Sequence, residues 1–144
     1  MRELDEPIPA TETLYRWIAV GDVFGSEVLP HAVDLARSSV NRSKYWSDPF
    51  HRPPFDPAQN GLAAITGADL PVGLQLNDVE YEFFTVDWPE EDNDAHAEIR
   101  SGRAPTRERP RGDRPGGFKP KSPDAKTKLR AELSQKMRVV KTPT

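Results

Sequence analysis

The chain has no cysteine among its 144 residues. Disulfide scaffolds, thiolate metal sites and a cysteine nucleophile are therefore excluded. Histidine is scarce too: His31, His51 and His96 are the only three. No two of them stand at helical i, i+4 spacing, and His31 and His51 sit near prolines, so no metal is expected. Long apolar runs are missing, and nothing approaches the ~20 residues of a membrane-spanning helix. The opening Met-Arg-Glu-Leu-Asp-Glu is acidic with no apolar run behind it, so neither a signal peptide nor a membrane partner is expected. The expectation is a soluble, cytoplasmic protein. Phosphate-binding Gly-Lys-Ser/Thr loops, Gly-x-Gly-x-x-Gly and the Gly-x-Ser-x-Gly elbow are absent as well.

Large apolar residues are also thin in the last third of the chain. From Arg100 to Thr144 there are only Phe118, Leu129, Leu133, Met137, Val139 and Val140. The core is therefore expected from residues 1–99, a small head of modest stability. What the last third does hold is positive charge. Residues 1–99 carry 6 Lys/Arg and 19 Asp/Glu, a net of −13, and residues 100–144 carry 14 and 4, a net of +10. The two sum to the overall −3. An acidic body with a basic arm is the organisation this implies.

Along the chain, residues 1–12 are acidic with Pro7 and Pro9 and predict an extended lead-in. Residues 13–99 predict one compact domain. Leu14–Val20 is aromatic and β-branched and reads as a strand stopped by Gly21-Asp22. Ser26–Ser39, with Pro30 ahead of Val33 and Leu35, predicts a short helix. Val40–Trp46 predicts a second strand, and the prolines from Pro49 to Pro57 an irregular loop. Gly61–Thr66 reads as a buried strand. Val79, Tyr81 and Phe83 alternate with Glu80 and Glu82 after an Asn77-Asp78 turn, and Ala95–Ile99 reads as a last short strand. The fold class is thus α+β: a small mixed sheet of about five strands, one or two short helices, then a flexible basic tail.

The tail divides further. Pro105, Pro110, Pro115 and Pro120 recur every five residues, so 100–121 reads as a Pro/Arg-rich flexible linker. Ser122-Pro123 is an N-cap followed by proline at the first helical position, opening an amphipathic basic helix over 122–140. Leu129, Leu133, Met137 and Val140 form its apolar stripe. Three readings of the tail stay open. Arg107, Arg109, Arg111, Arg114, Lys119 and Lys121 could track the phosphates of a nucleic acid. Leu129, Leu133 and Met137 could dock in a protein partner's groove. The tail could also fold back on the acidic head.

In the expected late strand, His96 and Glu98 share one face, where they could move a proton or orient a hydroxyl, or simply face solvent. With Leu14-Tyr15-Arg16 early and Ser38-Ser39-Val40-Asn41-Arg42-Ser43 in the middle, they give an Arg, Ser, Glu order. That order resembles the site of NAD-dependent ADP-ribosyltransferases. The Ala95-His96-Ala97-Glu98-Ile99 segment resembles the catalytic-Glu strand of the DNA-targeting ADP-ribosyltransferase toxins. The resemblance implies NAD as cofactor, with Arg16 on its phosphates and Ser39 or Ser43 on the nicotinamide side. Glu98 would then activate the ribose or the incoming nucleophile. The alternative expectation is a non-catalytic adaptor or accessory protein that works through its basic tail.

Overall fold

The computed structural model describes residues 2–3, 5–46, 56 and 58–143. The strands are β1 (Thr13–Ala19), β2 (Val23–Phe24), β3 (Glu27–Val28), β4 (Ser38–Arg42), β5 (Asn60–Thr66), β6 (Leu74–Leu76), β7 (Val79–Asp87), β8 (His96–Arg103) and β9 (Arg138–Lys141). The α-helix, α1 (Pro123–Lys136), lies between β8 and β9. Seven strands form one antiparallel sheet, curled as a half-barrel, in the order β6-β7-β8-β4-β1-β5-β9. Strands β2 and β3 make a separate small hairpin.

This corrects the expected five-stranded mixed sheet with a flexible tail. The tail supplies half of β8, the helix and an edge strand. Strand β8 crosses the expected boundary at residue 99 because its alternation continues: Ala97, Ile99 and Ser101 face inward and are fully buried. Ser101 is small enough for the core, and its hydroxyl donates to the Leu35 carbonyl at 2.8 Å. The last residues join β5 instead of extending the helix, with Val139 opposite Ala63.

The expected helix over Ser26–Ser39 does not form. Pro30 opens only a single 3-10 turn, Pro30–Ala32. After it the Ser38 hydroxyl bridges the Asp34 carbonyl and amide, both at 2.8 Å, and holds an irregular crossing. Local side-chain bonding of this kind competes with a helix. Val40–Trp46 is likewise strand only as far as Arg42, and then a 3-10 turn, Ser43–Tyr45. The Asn77-Asp78 turn forms as expected, both residues at positive φ (52° and 63°), which matches the twist of the β6–β7 hairpin it closes. The expected proline loop and His51 fall outside the described residues, Asp56 excepted.

The sheet has two unlike faces. On one, Leu14, Ile18, Val40, Ala63, Ile65, Phe83, Ala97 and Ile99 form the main core with Leu129, Leu133 and Met137 of α1. On the other, Trp46, Leu62 and Ala95 cluster with Tyr15, Trp17 and Tyr45.

The N-terminal lead-in is strapped to the body by charge. The Arg42 side chain, 0% exposed, donates to Glu12 at 2.8 and 3.0 Å, to Asp87 at 3.1 Å, and to Glu6. Arg2 forks onto Asp87 at 2.6 and 2.7 Å, and Lys44 and Tyr45 close on Glu6. Burial alone would lower the Arg42 pKa, but its carboxylate partners outweigh that and raise it. The Lys44 and Tyr45 hydrogen bonds lead in pulling Glu6 down to about 2 from an ordinary 4.5. Burial pushes Asp87 up, yet the Arg2 hydrogen bonds, the Glu6 amide and Arg42 leave it lowered.

A carboxylate with a depressed folded pKa contributes stability that is complete above its unfolded pKa and lost as pH falls through the folded one. The melting temperature should therefore hold down to pH about 4.5 and drop steadily toward pH about 2. Thermal melts followed by circular dichroism check this. A flat profile across that window would mean that the strap contributes nothing.

Candidate basic face and anion cleft

Helix α1 sets up the candidate site. Ser122 caps it by accepting from the Ala125 amide, and Pro123 occupies its first turn, as the sequence predicts. Its buried side is Ala125, Leu129, Leu133 and Ser134. The stripe of Leu129, Leu133 and Met137, expected to dock on a partner, is 0%, 0% and 5% exposed inside this chain's own core. What the helix turns outward is polar. Lys128 and Lys136 are exposed, Lys126 and Arg130 half-buried, and Lys119, Lys121 and Arg138 extend the row on either side.

The basic tail is of two kinds. Arg100, Arg103, Arg109 and Arg114 are all ion-paired within the fold. Arg100 holds Glu98 at 2.6 Å and the Pro115 carbonyl at 2.7 Å. Arg103 and Arg109 share Asp113, and Arg114 reaches Glu82 at 2.6 Å. Burial would raise the Asp113 carboxyl, but its Arg103 hydrogen bonds and the nearby charges lower it. Arg103 also lies 4.1 Å from the Phe118 ring centroid. These bonds are why the expected flexible linker is an ordered strap. Arg107 and Arg111 on its outer side are exposed.

From Lys119 to Lys141 the situation reverses. Eight cations stand against Asp124 and Glu132, and among the described residues none of the eight is ion-paired.

Beside this face opens a cleft of about 550 Å³ lined by Arg16, His31, Asp34, Lys119, Thr127 and Arg130. Arg16 is held rigidly. Its Nε and Nη2 donate to the Ala32 carbonyl at 2.9 and 2.7 Å, and Nη1 to the Ser39 carbonyl at 2.8 Å. No carboxylate of the described residues pairs with it, and burial lowers its pKa against the opposing charges of Asp22 and Asp34. His31 sits at the rim, its Nε2 2.8 Å from the Gly21 carbonyl and 3.3 Å from Asp22.

The residues of the transferase resemblance divide between the two faces. In an antiparallel pair, residues in register share a face. Ser39 lies opposite Glu98, and Asn41 opposite His96, so Ser39, His96 and Glu98 do come together. Ser39 is exposed, while His96 and Glu98 are buried. His96 Nδ1 donates to the Trp88 carbonyl at 2.8 Å, and Arg100 places two bonds on Glu98 Oε1. Arg16 shares the parity of Leu14 and Ile18 and belongs to the opposite, core-side face. Ser43 has left the strand for its 3-10 turn.

Among the described residues no cluster of His, Asp and Glu is arranged to hold a metal, and no helix is long and apolar enough to cross a membrane. Sequence reading missed Arg130, Thr127 and Asp34 as site residues. Thr127 and Arg130, three apart and flanking the apolar stripe, were the one available signal. No protein-family model, curated protein or solved structure matches the chain.

Proposed function

We propose that this protein binds nucleic acid through α1 and its flanking basic residues. The observation that carries this is the set of eight cations from Lys119 to Lys141, none of them ion-paired among the described residues, beside arginines that the fold neutralises. An ion-paired arginine has little left to offer a phosphate. A free one displaces condensed counterions and gains entropy. The outward side of α1 also favours phosphate over an acidic protein surface. Among the described residues the exposed large apolar ones are Val20, Phe24, Val72, Trp88 and Val140, and none is on the helix. Protein interfaces of ordinary affinity need an apolar centre, which this face lacks.

The test is fluorescence anisotropy of labelled oligonucleotides with the full chain. Four phosphate contacts imply roughly a 100-fold loss of affinity between about 50 and 200 mM salt. Reversing Lys121, Lys128, Lys136 and Arg138 to Glu should weaken binding more than tenfold, whereas Arg114→Gln should leave it within about twofold. Equal binding by the reversed and native proteins would overturn the proposal.

A further inference from the structure

We propose, resting on the nucleic-acid reading, that the Arg16 cleft seats the terminal phosphate of a strand. Arg16, Lys119 and Arg130 oppose the single carboxylate of Asp34, so these four residues give the lining a net positive charge. Its inner wall is the half-buried Arg16 guanidinium, which has no carboxylate partner among the described residues. Burying such a charge is costly, and an anion is what would compensate it. Three of the Arg16 N–H groups bind the Ala32 and Ser39 carbonyls and aim the planar group. The remaining N–H groups are left for a ligand, and a pre-aimed guanidinium loses little freedom on gripping phosphate oxygens. At about 550 Å³ the space suits a nucleotide-sized group.

Shape decides between an internal and a terminal phosphate. An internal phosphodiester carries one charge and has chain on both sides, so it lies along an open surface such as the outward side of α1. A terminal monoester carries a charge of about −1.5 to −2 at neutral pH and can enter a recess end-on. Thr127 and Arg130 belong both to the cleft and to α1, so a strand following the helix has its end delivered to Arg16. The Thr127 hydroxyl and the Lys119 ammonium add donors at the mouth.

The experiment compares one oligonucleotide sequence carrying a 5′-phosphate, a 3′-phosphate or hydroxyls at both ends. One phosphorylated form should bind the native chain at least tenfold tighter than the hydroxyl form. Arg130→Gln with Thr127→Val, at a half-buried and an exposed position, should erase that preference. The readout is the ratio of phosphorylated to hydroxyl form, which losing a phosphate contact common to both forms does not move. Arg16→Lys should also reduce the preference. Because Arg16 supports two backbone segments, the Arg130/Thr127 pair keeps the test valid if that variant fails to fold. The helix reversal above should weaken all three forms and preserve the ratio between them. Tight binding that is indifferent to end chemistry would overturn the cleft assignment alone. Failure of every oligonucleotide to bind would overturn the nucleic-acid reading itself.

Discussion

Arg42→Ala is expected to destabilise the protein by about 3–5 kcal/mol, the cost of breaking a buried charge cluster by removing one partner. Arg42 lies on the core side of the sheet opposite Leu14, yet its side chain is 0% exposed and surrounded by Glu6, Glu12 and Asp87. Without it, Asp87 keeps Arg2 and the Glu6 amide, and Glu12, in a nearly buried position, loses its ion pair and keeps the long Lys44 amide contact. A loss of this size should lower the melting temperature by roughly 10 °C or more. Arg42→Lys keeps the charge but not the two-pronged geometry, and should fall between native and Ala. Urea unfolding measures all three. A change under about 1 kcal/mol for Ala would show that the strap is loose and the lead-in dispensable.

Leu129→Ala should cost about 2–5 kcal/mol, because the side chain is completely buried between α1 and the sheet. The stronger version is a chain that ends at residue 121. It loses α1 and β9 together, leaving Leu14, Val40, Ala63 and Ile65 without their cover and β5 without its outer neighbour. That chain is expected not to fold, with lost dispersion in its proton spectrum and no cooperative melt. If α1 were a separable arm for a partner's groove, the shortened chain would melt like the full one. The two outcomes are far apart, and circular dichroism with one-dimensional NMR is enough to tell them.

Much of the local structure was legible. The strand at Val79 was visible in strict alternation, the turn at Asn77-Asp78 in its residue types, and the start of α1 in Ser122-Pro123. Each signal lies within a few residues of what it determines. The errors came where distant partners decide. Pro30 and the apolar residues after it fit a helix, but the Ser38 bridge to Asp34 won locally and Val33 and Leu35 were needed in the core. The Pro/Arg segment has the composition of a disordered linker. Order came from Glu82, Glu98 and Asp113, which accept its arginines. Composition counts such charges without showing that they meet. The site was readable only in part. Ser39, His96 and Glu98 share a face as their spacing allows, whereas the parity of Arg16 with Leu14 and Ile18 already pointed it the other way.

By itself, then, the sequence determined the absence of thiol chemistry, the capped helix and its stripe, and the separation of −13 from +10. It also determined that the basic third would either meet acids or face outward. Only the tertiary structure decided which. Arg100, Arg103, Arg109 and Arg114 are spent on carboxylates brought beside them by β7, β8 and the Asp113 loop, and the cations from Lys119 onward have no such neighbours among the described residues. The reason is reach: an ion pair forms over a few ångströms in space, and strand pairing sets those distances between residues far apart in the chain.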